Sequence, residues 1–289
     1  MGGVGWAIGR VMIGGMSLTL RSSDPVAVQV ILAVRYGDLE GLRALLAGDE
    51  RLANARIIGR RDGTSTPLHF VTDWPGYFPG GPGVVRVLAE FGADVNARTT
   101  GGGDPYDPVV RPGDETALHY AASSDDADVA EALIDAGADL EAPDGSIGTP
   151  LANAVGYACW NVARLLVARG ARVEYLWQAA ALGDRRRLDE LIAAGQSPDE
   201  INHAFWQACH GGQLRVADYL LSLGADINTS PDYAHGQTAI GAVGTTDTRR
   251  QQLITWLREH GAREENPSED RASEEGACGD SPAEPPAEP

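Results

Sequence analysis

At 289 residues, with 43% apolar and 22% charged side chains, the chain has the composition of a folded soluble protein and the length for a sizeable core or an extended array. Its 41 acidic and 23 basic residues leave a net charge of −18, which is repelled by phosphate backbones and anionic bilayers and argues against nucleic acid or membrane surfaces as partners. Three cysteines, Cys159, Cys209 and Cys278, form no C-x-x-C pair, which argues against a disulfide framework or zinc module and fits a reducing, cytoplasmic setting.

Residues 1–23 are glycine-rich and interrupted by Arg10, too broken to span a bilayer, and are expected to be a disordered leader or to precede a true start at Met16. The stretch 25–60 carries Ala33 to Glu40, then Leu42, Leu45 and Leu46. That is a helix–turn–helix interior without a Thr-Pro-Leu opening, as expected of an end unit with one face toward solvent. Thr66-Pro67-Leu68-His69 opens a second unit, 61–98, closed by Gly92-Ala93-Asp94-Val95-Asn96. Five extra residues fall between its helices, within 72–83, where Gly and Pro predict a non-helical loop bearing Trp74, Tyr77 and Phe78. Those aromatics are either binding anchors or a local cover over the helix ends. A second insertion, Thr99 to Pro112, is expected to project as a mobile finger carrying Asp104, Tyr106, Asp107 and Arg111.

The clearest periodicity follows, in the units 113–145 and 146–174. Thr116 and Thr149 are 33 residues apart, and so are Gly137 and Gly170. Each threonine is placed to cap a helix, Pro150 suits a first helical position, and Ala121 and Ala122 allow close approach of a second helix. The second helix has one apolar stripe and ends at a glycine able to take the left-handed conformation. A unit of two such short helices exposes apolar surface on both sides and must be stacked on neighbours. The next unit, 175–198, is short: Gly170 to Gly195 is 25 residues, so its connecting turn is read as deleted. Units at 199–230 and 235–263 complete the pattern. From Glu264 onward nine acids face Arg271 alone among Pro, Ser and Gly, and 264–289 is expected to be a disordered acidic tail. All basic residues are Arg, which points to a GC-rich coding sequence and a bacterial source.

A 33-residue helix–turn–helix unit opened by T-x-L-H or T-P-L and closed by G-A-D-ϕ-N/E resembles the ankyrin repeat. The resemblance implies an all-α solenoid of about seven helix–turn–helix units over 24–263, joined by short β-turns or hairpin loops. It also implies that His69 and His119 tie neighbouring turns together and are not catalytic. Trp177 and Trp206 both align with His119 and are expected to fill space between successive first helices. His203 and His210, seven apart on one helical face beside Cys209, read as structural and not as a metal centre of a hydrolase.

The expected function is accordingly a non-catalytic protein–protein interaction module, monomeric, without cofactor or metal, binding an unknown protein partner through its concave face and inter-repeat loops. Candidate contacts are Trp74, Tyr77, Phe78, Asp104, Tyr106, Asp107 and Arg111. The alternative is an acidic inhibitor or regulatory subunit of a basic or nucleic-acid-binding protein, acting by charge with the tail as part of the mechanism.

Overall fold

Helical hairpins recur along this chain because the same local code is written repeatedly, and the computed structural model describes them over residues 18–59, 63–101, 115–244 and 248–264. The first helices of successive hairpins are α1 (Pro25–Tyr36), α3 (Pro67–Thr72), α5 (Ala117–Ser124) and α7 (Pro150–Gly156), alternating with α2 (Leu39–Gly48), α4 (Gly81–Glu90), α6 (Ala127–Asp135) and α8 (Trp160–Ala168). Then come the hairpins α9 (Leu176–Leu182) with α10 (Arg185–Ala193), α11 (Pro198–His210) with α12 (Leu214–Ser222), and α13 (Ala239–Ala242) with α14 (Thr248–Glu259). Contacts divide the chain into two compact units, Met1–Arg172 and Val173–Pro289.

In the first unit, first helices pack on first helices (α1 on α3, α3 on α5, α5 on α7) and second helices on second helices (α2 on α4, α4 on α6, α6 on α8). The shared core holds Leu42, Leu46, Leu68, Leu88, Leu118, Leu133, Leu151 and Leu166, all fully buried. Burying each such side chain contributes about 1.5–3 kcal/mol. Ala121 and Ala122 have no exposed surface, as close helix approach requires. Helices α2 and α6 begin where an aspartate accepts a backbone N–H, Asp38 from Gly41 at 2.9 Å and Asp126 from Val129 at 3.2 Å. Helices α6 and α8 stop at glycines with positive φ, Gly137 at 96° and Gly170 at 102°.

The sequence does not anticipate the strands. Thr19–Arg21 (β1) pairs in parallel with Arg56–Ile58 (β2), which pairs antiparallel with Thr64–Ser65 (β3). Residues 18–23 of the expected leader therefore belong to the folded unit. Ile57 and Ala27 are buried in a small core against Leu18, Leu20 and Phe70. The end unit leaves Val26, Val28, Leu32 and Tyr36 exposed, a face with no neighbouring hairpin among the described residues.

The second unit packs α9 on α11 and α11 on α12 and α13, around fully buried Phe205, Leu188 and Leu220. The residues soon after Gly195 are helix. Ser197 caps α11, with Ser197 Oγ accepting from the Glu200 N–H at 3.2 Å and Glu200 Oε2 accepting from the Ser197 N–H at 2.8 Å. Pro198 sits at the first helical position, so α11 gains about a turn at its start, where other units spend those residues on a loop. A second correction concerns 72–83: α4 begins at Gly81, so Gly81-Pro82-Gly83 are helical, with proline tolerated in the first turn.

Candidate partner-binding surface

Two of the first helices in the first unit, α3 and α5, are each fixed by a histidine staple. His69 Nδ1 accepts the Thr66 N–H at 3.2 Å and lies 2.9 Å from Thr66 Oγ1, while Nε2 lies 3.1 Å from the Glu115 carbonyl of the next unit. A carbonyl only accepts, so Nε2 carries the proton and the ring is neutral. His119 repeats the arrangement with the Thr116 N–H at 3.1 Å and the Gly148 carbonyl at 3.1 Å. Burial depresses His69 to about 4 and lowers His119 as well. Gly145 makes room for the second staple: a Cβ there would lie 2.3 Å from His119 Cδ2.

The alignment of tryptophans with His119 holds for Trp206 and fails for Trp177. Trp206 is 4% exposed and donates Nε1–H to the Gln237 carbonyl at 3.0 Å, the residue just before the Thr238 cap, as Gly148 and Glu115 precede theirs. At the other position it is Gln178, one residue on, that accepts the Glu174 and Tyr175 N–H groups at 2.9 and 3.1 Å. Trp177 is displaced to a half-buried place at the helix margin.

A second tie was not legible beforehand. Asn96 donates to the Gly137 carbonyl at 3.2 Å and accepts the Asp139 N–H at 2.8 Å. Asn54 does the same for Gly92 and Asp94, at 2.7 and 2.6 Å. Asn202 accepts the Asp226 N–H and Asn228 the Arg263 N–H, each at 2.8 Å. Glu141 accepts the Arg172 N–H at 2.8 Å but has no donor for the carbonyl half of the clasp. The closing N/E of the repeat motif was the signal for Asn96, Glu141 and Asn228; nothing in the motif marks Asn54 or Asn202.

The loop of the second hairpin separates its three aromatics. Asp73 pairs with Arg35, whose guanidinium lies 5.5 Å from the Phe78 ring centroid. The Tyr77 N–H donates to Asp126 at 2.7 Å and its hydroxyl to the Asp125 carbonyl at 2.6 Å. Burial, then the fields of Asp125 and Asp126, raises the Tyr77 phenol above its ordinary value. Pro79 lies against Gly37, where φ is +66° and a Cβ would meet the Pro79 carbonyl oxygen at 2.1 Å. The loop is thus held to the preceding and the following hairpin. Trp74 is the most exposed of the three at 82%, and Tyr77 stays 65% exposed despite its hydrogen bonds. Asp104, Tyr106, Asp107 and Arg111 lie outside the described residues.

Groups suited to chemistry are dispersed. Among the described residues no group of three or more His, Cys, Asp or Glu could hold a metal ion. His203 is 2.7 Å from the Tyr233 hydroxyl and His210 leans on Trp206 at 5.2 Å, so each has an aromatic neighbour. Burial pushes the Cys159 thiol up to about 11 and raises Cys209 too, the opposite of an activated nucleophile. Grooves of about 530 and 370 Å³ lie on the end hairpin, lined mainly by apolar side chains such as Leu32, Leu45 and Leu52. No helix among the described residues is long and apolar enough to cross a membrane.

Residues 113–145 match the family model described as ankyrin repeat. Among solved structures the chain is similar to the ankyrin repeat domain of human ASB11, at 19% identity over 78% of this chain and 96% of that one, with a TM-score of 0.44. It is also similar to the ankyrin repeat domain of Bcl-3, described as a unique member of the IkappaB protein family, at 23% identity over 80% and 97%, with a TM-score of 0.45. The matched unit's capped hairpin and glycine stop recur on either side of it.

Proposed function

We propose that this protein is a non-catalytic protein–protein interaction module that works as a cytoplasmic monomer and captures its partner on the first helices and loops, the concave face such arrays present. Ankyrin repeats are in general protein–protein interaction modules. The observation that carries the reading is Trp74, an exposed indole at the tip of a loop whose neighbours Asp73, Tyr77 and Phe78 are all engaged. A large aromatic on a pre-ordered support loses little entropy on binding and is the side chain most enriched at interface hot spots. Tyr77 and Phe78 extend that surface, and Asp104, Tyr106, Asp107 and Arg111 are assigned to it from the neighbouring insertion.

Affinity capture from the native cell with the full chain and with Trp74→Ala tests this. Loss of a captured protein at unchanged melting temperature supports the reading; capture unchanged by the substitution overturns the role of Trp74. The acidity of the chain favours one second reading, an acidic inhibitor or regulatory subunit of a basic or nucleic-acid-binding protein. There the captured protein is lost on removing 264–289 and on raising salt, while an aromatic-anchored interface is little changed.

A further inference from the structure

Four rings form a half-open shelf in the second unit. Tyr175 stacks on Trp177 with centroids 6.1 Å apart and planes at 11°, and Trp177 stacks on His203 at 5.8 Å and 22°. Tyr233 closes the far end edge-on to His203 at 5.6 Å, its hydroxyl held by His203 and by Gln207 Nε2 at 2.9 Å. The two end rings, Tyr175 and Tyr233, are each 54% exposed. The end rings are thus about half covered, Tyr233 meeting Trp206 as well at 5.8 Å.

Charge is segregated around it. In the described part of this unit every arginine except Arg263 lies on a second helix, α10, α12 or α14. The first helices and the turns before them, 173–183, 195–213 and 224–244, hold no arginine but contain Glu174, Asp199, Glu200, Asp226 and Asp232. Glu174 and Asp232 immediately precede the exposed tyrosines, and neither they nor Asp199 has an ion-pair partner among the described residues. An exposed ring stacked on a second, next in sequence to a carboxylate without such a partner, favours a flat cation, although Arg187 already reaches the Val173 carbonyl nearby at 2.8 Å. A guanidinium can lie as the next layer on Tyr175 while its N–H groups reach a carboxylate. The fold already uses this packing elsewhere, with the Arg185 guanidinium 3.4 Å from the Tyr219 ring centroid.

We infer that this shelf, Tyr175–Trp177–His203–Tyr233, is a docking site for an arginine-bearing segment of a protein partner. It deepens the proposed function and rests on it for the partner's being a protein. The test is fluorescence anisotropy of labelled hexa-arginine, hexa-lysine and hexa-glutamate peptides against the full chain and its variants. The expected order is arginine tighter than lysine, with no binding of glutamate, and roughly tenfold weaker arginine binding in Tyr175→Ala and in Trp177→Ala. Tyr175→Ala removes an exposed ring, so its melting temperature stays unchanged and the loss is read as binding. Arginine binding that is equal to lysine, untouched by Tyr175→Ala, or abolished by deleting 265–289 alone overturns the site. Trp74→Ala, in the other unit, leaves peptide binding unchanged, so failure of Trp74-dependent capture with peptide binding intact sinks the proposed function and not the shelf.

Discussion

The two units solve one problem with different side chains. Each first helix must be capped at its own threonine, tyrosine or serine and tied to the carbonyl just before the next cap. In the first unit a neutral histidine does both jobs at once, at His69 and at His119. In the second unit other side chains serve: Gln178 closes the cap of α9, while on α11 Glu200 closes the cap and Trp206 supplies the donor to the Gln237 carbonyl. The lesson is that the position selects for one N–H at a fixed place and not for a residue type. The choice still has consequences, because histidine titrates and tryptophan does not.

The largest test of that difference is truncation. Trp206→Ala removes a nearly fully buried ring and leaves the Gln237 carbonyl unpaired, so it should cost about 3–5 kcal/mol in denaturant unfolding. Trp206→Phe keeps most of the packing and loses only the donor, for about 1–2 kcal/mol. Equal losses in the two variants would mean that Trp206 acts as filler and that the hydrogen bond is incidental.

Acid should test the histidine ties next. His69 is held down at about 4, against 6.5 for a free imidazole, so between those values the unfolded chain binds the proton that the folded chain resists. Its stabilising effect is complete above pH 6.5 and is lost as pH falls from there toward 4, by up to about 3 kcal/mol if its pKa governs alone. His119 is depressed in the same direction and adds to the same window. Protonation would place an N–H opposite the Thr66 N–H and break the cap. Hydrogen exchange should therefore show the amides of 66–72 opening as pH is lowered through this window, in which His210, held at about 4 by burial, and His203 also weaken the second unit. His69→Gln, which keeps an acceptor but cannot titrate, should flatten the response at 66–72. A pH profile unchanged by that substitution would remove His69 as the cause.

The smallest effects belong to the asparagine clasps. Asn96→Ala frees the Gly137 carbonyl and the Asp139 N–H at an exposed turn and should cost about 1 kcal/mol. Glu141→Asn restores the donor that the glutamate lacks and should recover roughly 0.5 kcal/mol, read as a small rise in melting temperature, provided that losing the Arg172 contact does not cancel it.

The expected seven-hairpin organisation was legible wherever a cap, a proline and a glycine stop recur, because those residues act through their own backbone. Thr116, Pro150, Gly137 and Gly170 state where helices begin and end without reference to anything distant. The same signals misled where context outweighed them. Gly81-Pro82-Gly83 looked like loop, but a helix's first turn has no need of the proline's missing N–H, and α4 starts there. After Gly195, which does end α10, Ser197 and Glu200 form a capping box that turns the following residues into helix.

What the sequence determined by itself is the repeating hairpin, its stops and its acidity, since these follow from local chemistry at fixed spacing; the ties made by His69 and His119 were implied by the ankyrin resemblance. Tertiary structure decided the rest, because it depends on which distant groups meet. It paired Thr19–Arg21 with Arg56–Ile58, gave Gln178 and not Trp177 the capping task, and freed Trp74 while engaging Tyr77 and Phe78. It also drew Tyr175, Trp177, His203 and Tyr233 into one column, although the two tyrosines are far apart in sequence.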